Sequence, residues 1–279
     1  VSLRLHVLVP AAPGEGGRPA PAPLVLLHAF PLDHRMWRDA AAALVGTGPV
    51  LAADLPGAGL PVAQPGPDVA AAALEDAADD LARALREGPL GTGGPVVVAG
   101  ISLGGYVALA LLERHPDLVA GLALLDTRST ADPDAARQRR LVVAEEVLAE
   151  GHAGPVVGMA DDLLGPTTRR ERPDLVDQVR RWIGDQPATG VAWAQRAMAA
   201  RPDRTAALAA FGGPVLVLRG DEDALSGPDA AGHLVAAVAD RRRVEHGVVP
   251  GAGHLSALER PEAVAAALAR LRERVAAGA

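Results

Sequence analysis

Short apolar runs alternate along this chain with longer stretches whose apolar positions recur every three or four residues. The runs predict strands at Leu3–Val9, Leu24–Leu27, Val50–Ala53, Pro95–Ala99, Leu122–Leu125, Val215–Leu218 and Val244–Val249. The helical spacing predicts helices at Met36–Val45, Asp68–Glu87, Leu103–Arg114, Pro228–Ala239 and Pro261–Val275. Such alternation is the mark of βαβ units, hence an α/β fold with a mostly parallel central sheet and helices on both faces. Pro10 to Pro23, rich in Pro, Gly and Ala, predicts an exposed loop. From Arg128 to Phe211 the alternation stops and only helical patterns remain: Asp132–Glu150, Val156–Leu164, Pro173–Ile183 and Val191–Ala200. Pro133 and Pro173 suit the first turn of a helix. Residues 1–127 and 212–279 are therefore expected to form the core. Residues 128–211 would be a helical cap, or lid, inserted before the penultimate strand, over the sheet edge where open α/β folds bind ligands.

Composition narrows the possibilities. At 279 residues and 49% hydrophobic the chain can bury one large core, but with 2% aromatic content aliphatic side chains must fill it. A net charge of −7 argues against nucleic acid or an anionic membrane surface as partner. Cysteine is absent, which excludes disulfides and thiolate metal sites. Every lysine-or-arginine position is arginine, a bias that GC-rich coding accounts for. The opening V-S-L-R-L-H-V-L-V-P alternates like a strand rather than a secretory leader. No apolar run approaches the ~20 residues that span a bilayer. A cytoplasmic protein without membrane attachment is the expectation. Histidines and acids are too scattered to predict a zinc site, and no metal or organic cofactor is expected.

The chemistry concentrates at Gly100-Ile101-Ser102-Leu103-Gly104-Gly105, between a buried-strand pattern and a helix pattern. A serine on a sharp strand-to-helix turn, with glycine two places to either side, exposes its hydroxyl for nucleophilic attack. The glycines are needed because the turn is strained and crowded. A serine hydroxyl is a weak nucleophile at neutral pH and needs a base, itself oriented by a carboxylate. His254 lies in the glycine-rich turn after the strand ending at Val249, on the same sheet edge as Ser102. His233 and His246 fall inside a helix and a strand, without the freedom a general base needs. Asp221, Glu222 and Asp223 compete as the carboxylate after Leu218, and Asp126 ends an earlier strand. For an oxyanion, one N–H would come from Leu103 and the second from Phe30, just past the strand that ends at His28. His28 itself is expected to be structural.

Taken together these motifs resemble the α/β-hydrolase superfamily over essentially the whole chain. L-L-H-A-F-P-L-D-H-R-M-W looks like its oxyanion loop with Ala29 in place of the usual glycine, and A-A-D-L-P-G-A-G like its Asp-x-x-Gly-x-Gly turn. G-I-S-L-G-G is similar to its nucleophile elbow, R-G-D-E-D to its acid turn, and G-A-G-H-L-S-A-L-E-R-P-E to its histidine loop. Two departures stand out: Leu60-Pro61 after the Asp turn, and a single strand where the family opens with a hairpin. Chain order in that family implies Ser102 as nucleophile, Asp223 rather than Asp126 as orienter, and His254 as base, with Phe30 and Leu103 donating to the oxyanion. H-L-S-A-L-E and D-T-R look closest to the enol-lactonase and small carboxylesterase branch.

The resemblance implies hydrolysis of a small carboxylic ester or lactone through an acyl-enzyme, with activity falling at acidic pH. Met159, Trp182, Trp193 and Met198 are candidate pocket walls in the cap. The same three groups could instead serve perhydrolysis, haloperoxidase-type or C–C cleavage chemistry. A reading of another class is a ligand-binding protein that keeps the fold without turnover.

Overall fold

The computed structural model describes residues 3–11, 21–61, 72–87 and 94–278. Among them one sheet is formed by β1 (Arg4–Val9), β2 (Leu24–Leu27), β3 (Val50–Asp54), β4 (Val96–Ile101), β5 (Val119–Leu125), β6 (Val215–Gly220) and β7 (Val244–Val249). Their spatial order is β1-β3-β2-β4-β5-β6-β7. Only β1 is antiparallel, against β3; every other pair is parallel. Strands β2, β3 and β4 are buried at every residue, as a sheet covered on both faces requires.

The covering helices are α1 (Arg38–Ala42), α2 (Leu74–Glu87) and α3 (Leu103–Arg114). Helix α2 buries Leu74, Ala77, Ala78, Leu81 and Ala82, a clean single stripe. Helix α3 is buried from Leu103 to Leu112 because it lies between α2 and strands β2, β4 and β5. Between β5 and β6 come α4 (Asp134–Glu150), α5 (Gly154–Val157), α6 (Ala160–Leu163), α7 (Pro166–Glu171), α8 (Pro173–Gly184), α9 (Ala188–Ala200) and α10 (Thr205–Ala210), with no strand among them. Then follow α11 (Pro228–Ala237), α12 (Ser256–Glu259) and α13 (Pro261–Ala276). Helix α4 packs along α9, and α5 to α7 pack on α8. Helix α10 instead packs on α3 and α11, so the last turn of the inserted segment joins the layer against the sheet.

Several boundaries differ from the sequence expectation. The Asp68–Glu87 helix begins at Leu74; residues 62–71 lie outside the described residues, as do 12–20 of the expected Pro-rich loop. The Met36–Val45 helix starts earlier, as a tight turn from His34 in which the Asp33 carboxylate accepts the Arg35 N–H, and stops at Ala42. Val156–Leu164 is two short helices rather than one. Three short helices, α7, α10 and α12, carry too few turns to show a period in the sequence.

Topology sets the site. Strand β2 has β3 on one side and β4 on the other, so the chain reverses its direction of travel across the sheet there. Crevices in open α/β sheets form at such a switch, outside the carboxyl ends of the strands. Leu27 pairs with Gly100, which puts the loops after β2 and β4 side by side.

Candidate functional site

Strand β4 ends at Ile101, and Ser102 takes φ 51 and ψ −114, left-handed backbone that a residue with a Cβ adopts only under constraint. Hydrogen bonds supply that constraint. The Ser102 N–H donates to Leu125 O at 3.0 Å, and its carbonyl accepts from the Gly105 N–H at 3.0 Å and the Thr127 hydroxyl at 2.8 Å. A Cβ on Gly100 would lie 2.2 Å from Gly104 O, and one on Gly104 the same 2.2 Å from Leu27 O. Both obstacles are backbone and cannot step aside. Gly104→Ala is therefore expected to destabilise the protein by about 3 kcal/mol or more, the upper end of overpacking costs. A denaturant midpoint equal to the wild type's would refute that packing.

Ser102 Oγ stands 2.8 Å from His254 Nε2. The other ring nitrogen, Nδ1, lies 3.0 Å from each carboxylate oxygen of Asp223. Asp223 Oδ1 also accepts from the Leu225 and Ser226 N–H groups at 2.8 and 3.1 Å, which fixes the acid turn. Burial alone would raise the Asp223 carboxyl, but the hydrogen bond and charge of His254 and the two N–H donors hold it below the usual range. Burial alone would lower His254, yet the hydrogen bond and charge of Asp223 leave it above the ordinary 6.5. Both shifts favour an imidazolium beside a carboxylate.

The competing residues are occupied elsewhere. Asp126 faces Ser256, whose hydroxyl donates to it, and accepts the Gly220 N–H at 2.7 Å. It too has positive φ, 46°, and burial followed by the Asp223 charge pushes its carboxyl up to about 7. Asp221 accepts the Gly251 N–H at 2.7 Å, and Glu222 accepts the Thr167 N–H at 2.8 Å. His233 meets the Thr205 hydroxyl at 3.1 Å, and His246 is exposed on β7. His28 is buried, with Nδ1 3.0 Å from Ala29 O and Nε2 accepting the Leu55 N–H at 3.0 Å, which ties the loop after β2 to the loop after β3.

Sequence reasoning passed over Glu259. This buried carboxylate accepts N–H groups from both neighbours of His254, Gly253 at 2.9 Å and Leu255 at 3.2 Å. It accepts a third from Gly165, at 2.9 Å, across from α7. The His254 N–H donates to Leu163 O at 2.9 Å, and a Cβ on Gly253 would come within 2.3 Å of Gly165 N. The histidine loop and the turn between α6 and α7 thus touch backbone to backbone. Glu259 follows His254 by five residues in G-A-G-H-L-S-A-L-E, but nothing in that spacing reveals its distant partner.

Leu103 follows Ser102 directly and Phe30 lines the same cavity as Ser102; neither N–H donates to another group among the described residues. The Phe30–Pro31 peptide bond is cis. A cavity of about 540 Å³ opens over Ser102 and His254, within the range of small-molecule sites. Met159 and Met198 line it; Trp182 and Trp193 do not. Trp182 lies under the Arg35 guanidinium, 5.3 Å from ring centroid to Cζ, and Trp193 is buried in the helical packing. Large apolar residues on helices more often fill cores than pockets.

Among the described residues one group has metal-ligand character: His6, His34 and Asp54, with ligand atoms within 4.8 Å of one another. The two rings stack at 3.7 Å, nearly parallel, and each addresses a separate Asp54 oxygen, at 2.7 and 2.9 Å. Lone pairs lying in parallel planes cannot both point at one ion. The cluster reads as a hydrogen-bonded carboxylate, and Arg4 adds a further contact at 3.5 Å.

A model of the alpha/beta hydrolase family matches residues 24–267. The chain belongs to that family. Pimeloyl-[acyl-carrier protein] methyl ester esterase of Neisseria meningitidis is 32% identical over 256 residues, covering 86% of this chain and 90% of that one. The structure of a thermophilic esterase from Thermogutta terrifontis superposes with a TM-score of 0.85 at 35% identity, covering 98% of this chain and 93% of that one. An enol-lactonase from Burkholderia xenovorans shares the fold, with a TM-score of 0.78 at 23% identity and coverage of 96% and 95%. No helix among the described residues of this hydrolase is long and apolar enough to cross a membrane.

Proposed function

We propose that this α/β hydrolase cleaves a carboxylic ester or lactone through an acyl-enzyme, with Ser102 as nucleophile, His254 as general base and Asp223 as its orienter. The observation that carries the reading is the continuous relay from Ser102 Oγ to His254 Nε2, 2.8 Å, and from Nδ1 to Asp223, 3.0 Å. The esterase names of relatives at 32% and 35% identity add independent support for ester cleavage.

His254 takes the Ser102 proton as Oγ attacks the carbonyl carbon, and the imidazolium that forms is favoured by Asp223. The N–H groups of Leu103 and Phe30 receive the oxyanion, each donor contributing on the order of 2.7–4 kcal/mol to the transition state. His254 then returns the proton to the leaving alcohol. Water, deprotonated by the same imidazole, attacks the acyl carbonyl and releases the acid and the free serine. In this reading residues 128–211 form a cap whose α4, α5, α6 and α9 wall the cavity and keep bulk water from the acyl-enzyme, while α10 packs on the core, and no cofactor takes part.

The pH dependence follows from the sign of the His254 shift. A base must be neutral to act, so kcat/KM falls as pH drops through its pKa. Because that pKa is raised, the acid limb lies higher than an ordinary histidine, at 6.5, would put it. A rate profile on a slow ester, flat from pH 5 to 8 with chemistry limiting, would remove His254 from the role of base.

The direct test is a panel of esters and lactones of graded size, with product analysis, combined with fluorophosphonate labelling. The expected outcome is turnover of at least one substrate and a mass adduct on Ser102. Stoichiometric labelling with no multiple turnover on any substrate would favour a ligand-binding protein instead.

A further inference from the structure

The cavity over Ser102 and His254 is more polar, and more cationic, than an aliphatic ester needs. Its wall carries Arg128, Arg139 and Arg140 against Asp132 and Asp162. Asp132 is already committed: Arg140 donates to it at 2.6 Å and the buried Arg201 at 2.7 Å, and although burial alone would raise this carboxyl, the two guanidiniums hold it at about 2. Arg201 is further fixed over the Tyr106 ring at 4.0 Å. Two cations then remain without an acidic partner among the described residues, Arg128 and Arg139, against one exposed acid, Asp162. Both face a cavity in a protein whose net charge is −7.

Arg128 is the better defined of the two. It follows Asp126 and Thr127 directly, and Thr127 is bonded to the Ser102 carbonyl, so Arg128 leaves the end of β5 beside the reacting groups. One terminal nitrogen donates to Leu225 O, while its Nε is buried with no hydrogen-bond partner. That buried Nε is a cost of holding the side chain here, and Arg128 nonetheless lines the cavity. Its field already opposes protonation of His254. Arg139, on α4, is exposed at the mouth. A guanidinium presents donors in a planar fork that matches a carboxylate.

We infer that Arg128 and Arg139 form a carboxylate-binding subsite, so that the preferred substrate is a small ester or lactone bearing a second, free carboxylate. The inference rests on the hydrolase reading above and narrows it to a substrate class. Hydrolysis of such a monoester adds water across the acyl–oxygen bond. It yields a dicarboxylate and an alcohol when the anion is on the acyl side, or a neutral acid's carboxylate and a hydroxy-acid when it is on the alcohol side. One proton is released in either case.

Matched probes test it. Monomethyl adipate is compared with dimethyl adipate, and 5-acetoxypentanoate with its methyl ester, so each pair differs only in the free carboxylate. Wild-type kcat/KM is expected to favour the anion by about tenfold or more in at least one pair, as charge-assisted pairing allows. The advantage should shrink as salt is raised. In Arg128→Gln the anion-to-neutral ratio should fall about tenfold, and in Arg139→Gln, a surface change safe for folding, by a smaller factor. Arg137→Gln, on α4 but outside this cavity, should leave the ratio unchanged. Turnover of the neutral esters with no anion preference, or a ratio insensitive to both substitutions, would overturn the subsite and leave the hydrolase reading standing. If no ester of any kind is turned over, the hydrolase reading fails, and calorimetry with adipate still decides the subsite. Binding by wild type that Arg128→Gln and Arg139→Gln weaken supports it; no binding overturns it.

Discussion

Ser102→Ala is expected to lower kcat on a good ester by about 10⁶-fold while leaving the melting temperature within a few degrees of wild type. The size of the loss reflects cooperation: without the nucleophile, the base and its orienter have nothing to activate. The N–H donors and the cavity would still act on an attacking water, so a small residual rate above background should survive. Stability should change little because the Ser102 hydroxyl makes one hydrogen bond, to His254 at 2.8 Å, at the cavity floor where water can replace it. The elbow itself is held by the backbone of residue 102, which alanine keeps. Steady-state kinetics and a thermal melt on the same preparation check both halves. Retention of even a hundredth of the wild-type kcat would show that the chemistry runs through another group.

The second large effect separates two buried acids. Asp223→Asn is expected to lower kcat by about 10⁴-fold, since an amide can hold His254 in the wrong tautomer and brings no charge to the imidazolium. It should also move the acid limb to lower pH, because the hydrogen bond and charge of Asp223 are what lift His254 against burial. Asp126→Asn should behave differently. Its amide can still accept from the Gly220 N–H and meet the Ser256 hydroxyl, so turnover should stay within about tenfold. Stability should respond instead. Burial raises the Asp126 carboxyl to about 7, so the folded state binds its proton more tightly than the unfolded state, where the value is near 3.8. Such a group favours folding below about pH 4, and that contribution is lost as pH rises toward 7. The asparagine variant should gain stability relative to wild type across that window, read as a divergence of denaturant midpoints. Reversed outcomes, with Asp126→Asn inactive and Asp223→Asn active, would hand the orienting role to Asp126.

Much of this was legible in the chain because strand ends carry chemistry at fixed places. The apolar runs located the parallel strands and their common carboxyl edge, and with it the positions of Ser102, the acid turn and His254. Choosing Asp223 over Asp126 needed family chain order, since both lie just past the carboxyl end of a strand and only three-dimensional direction separates them. What stayed hidden depends on long-range partners. Glu259 looks like an ordinary acid until Gly165, remote in sequence, appears beside it. The cavity wall was illegible for a related reason. Helix α4 buries only Ala144 and Val147, so its sequence shows no dominant stripe from which to learn which way Arg139 and Arg140 face. Trp182 and Trp193 drew attention by size, but size predicts burial rather than access to a ligand.

The bond from His254 N–H to Leu163 O, and the shared grip of Glu259 on Gly165, Gly253 and Leu255, make one mechanical piece of the imidazole's perch and part of the cavity wall. Leu163 and Met159 belong to that same stretch and line the cavity. If His254 is the base proposed above, selectivity and speed are geared together on this side of the cleft. Reshaping it to admit a bulkier acyl chain will also tilt the proton-transfer geometry, whereas the α4 side offers room to alter choice of substrate without disturbing the rate of the chemical step.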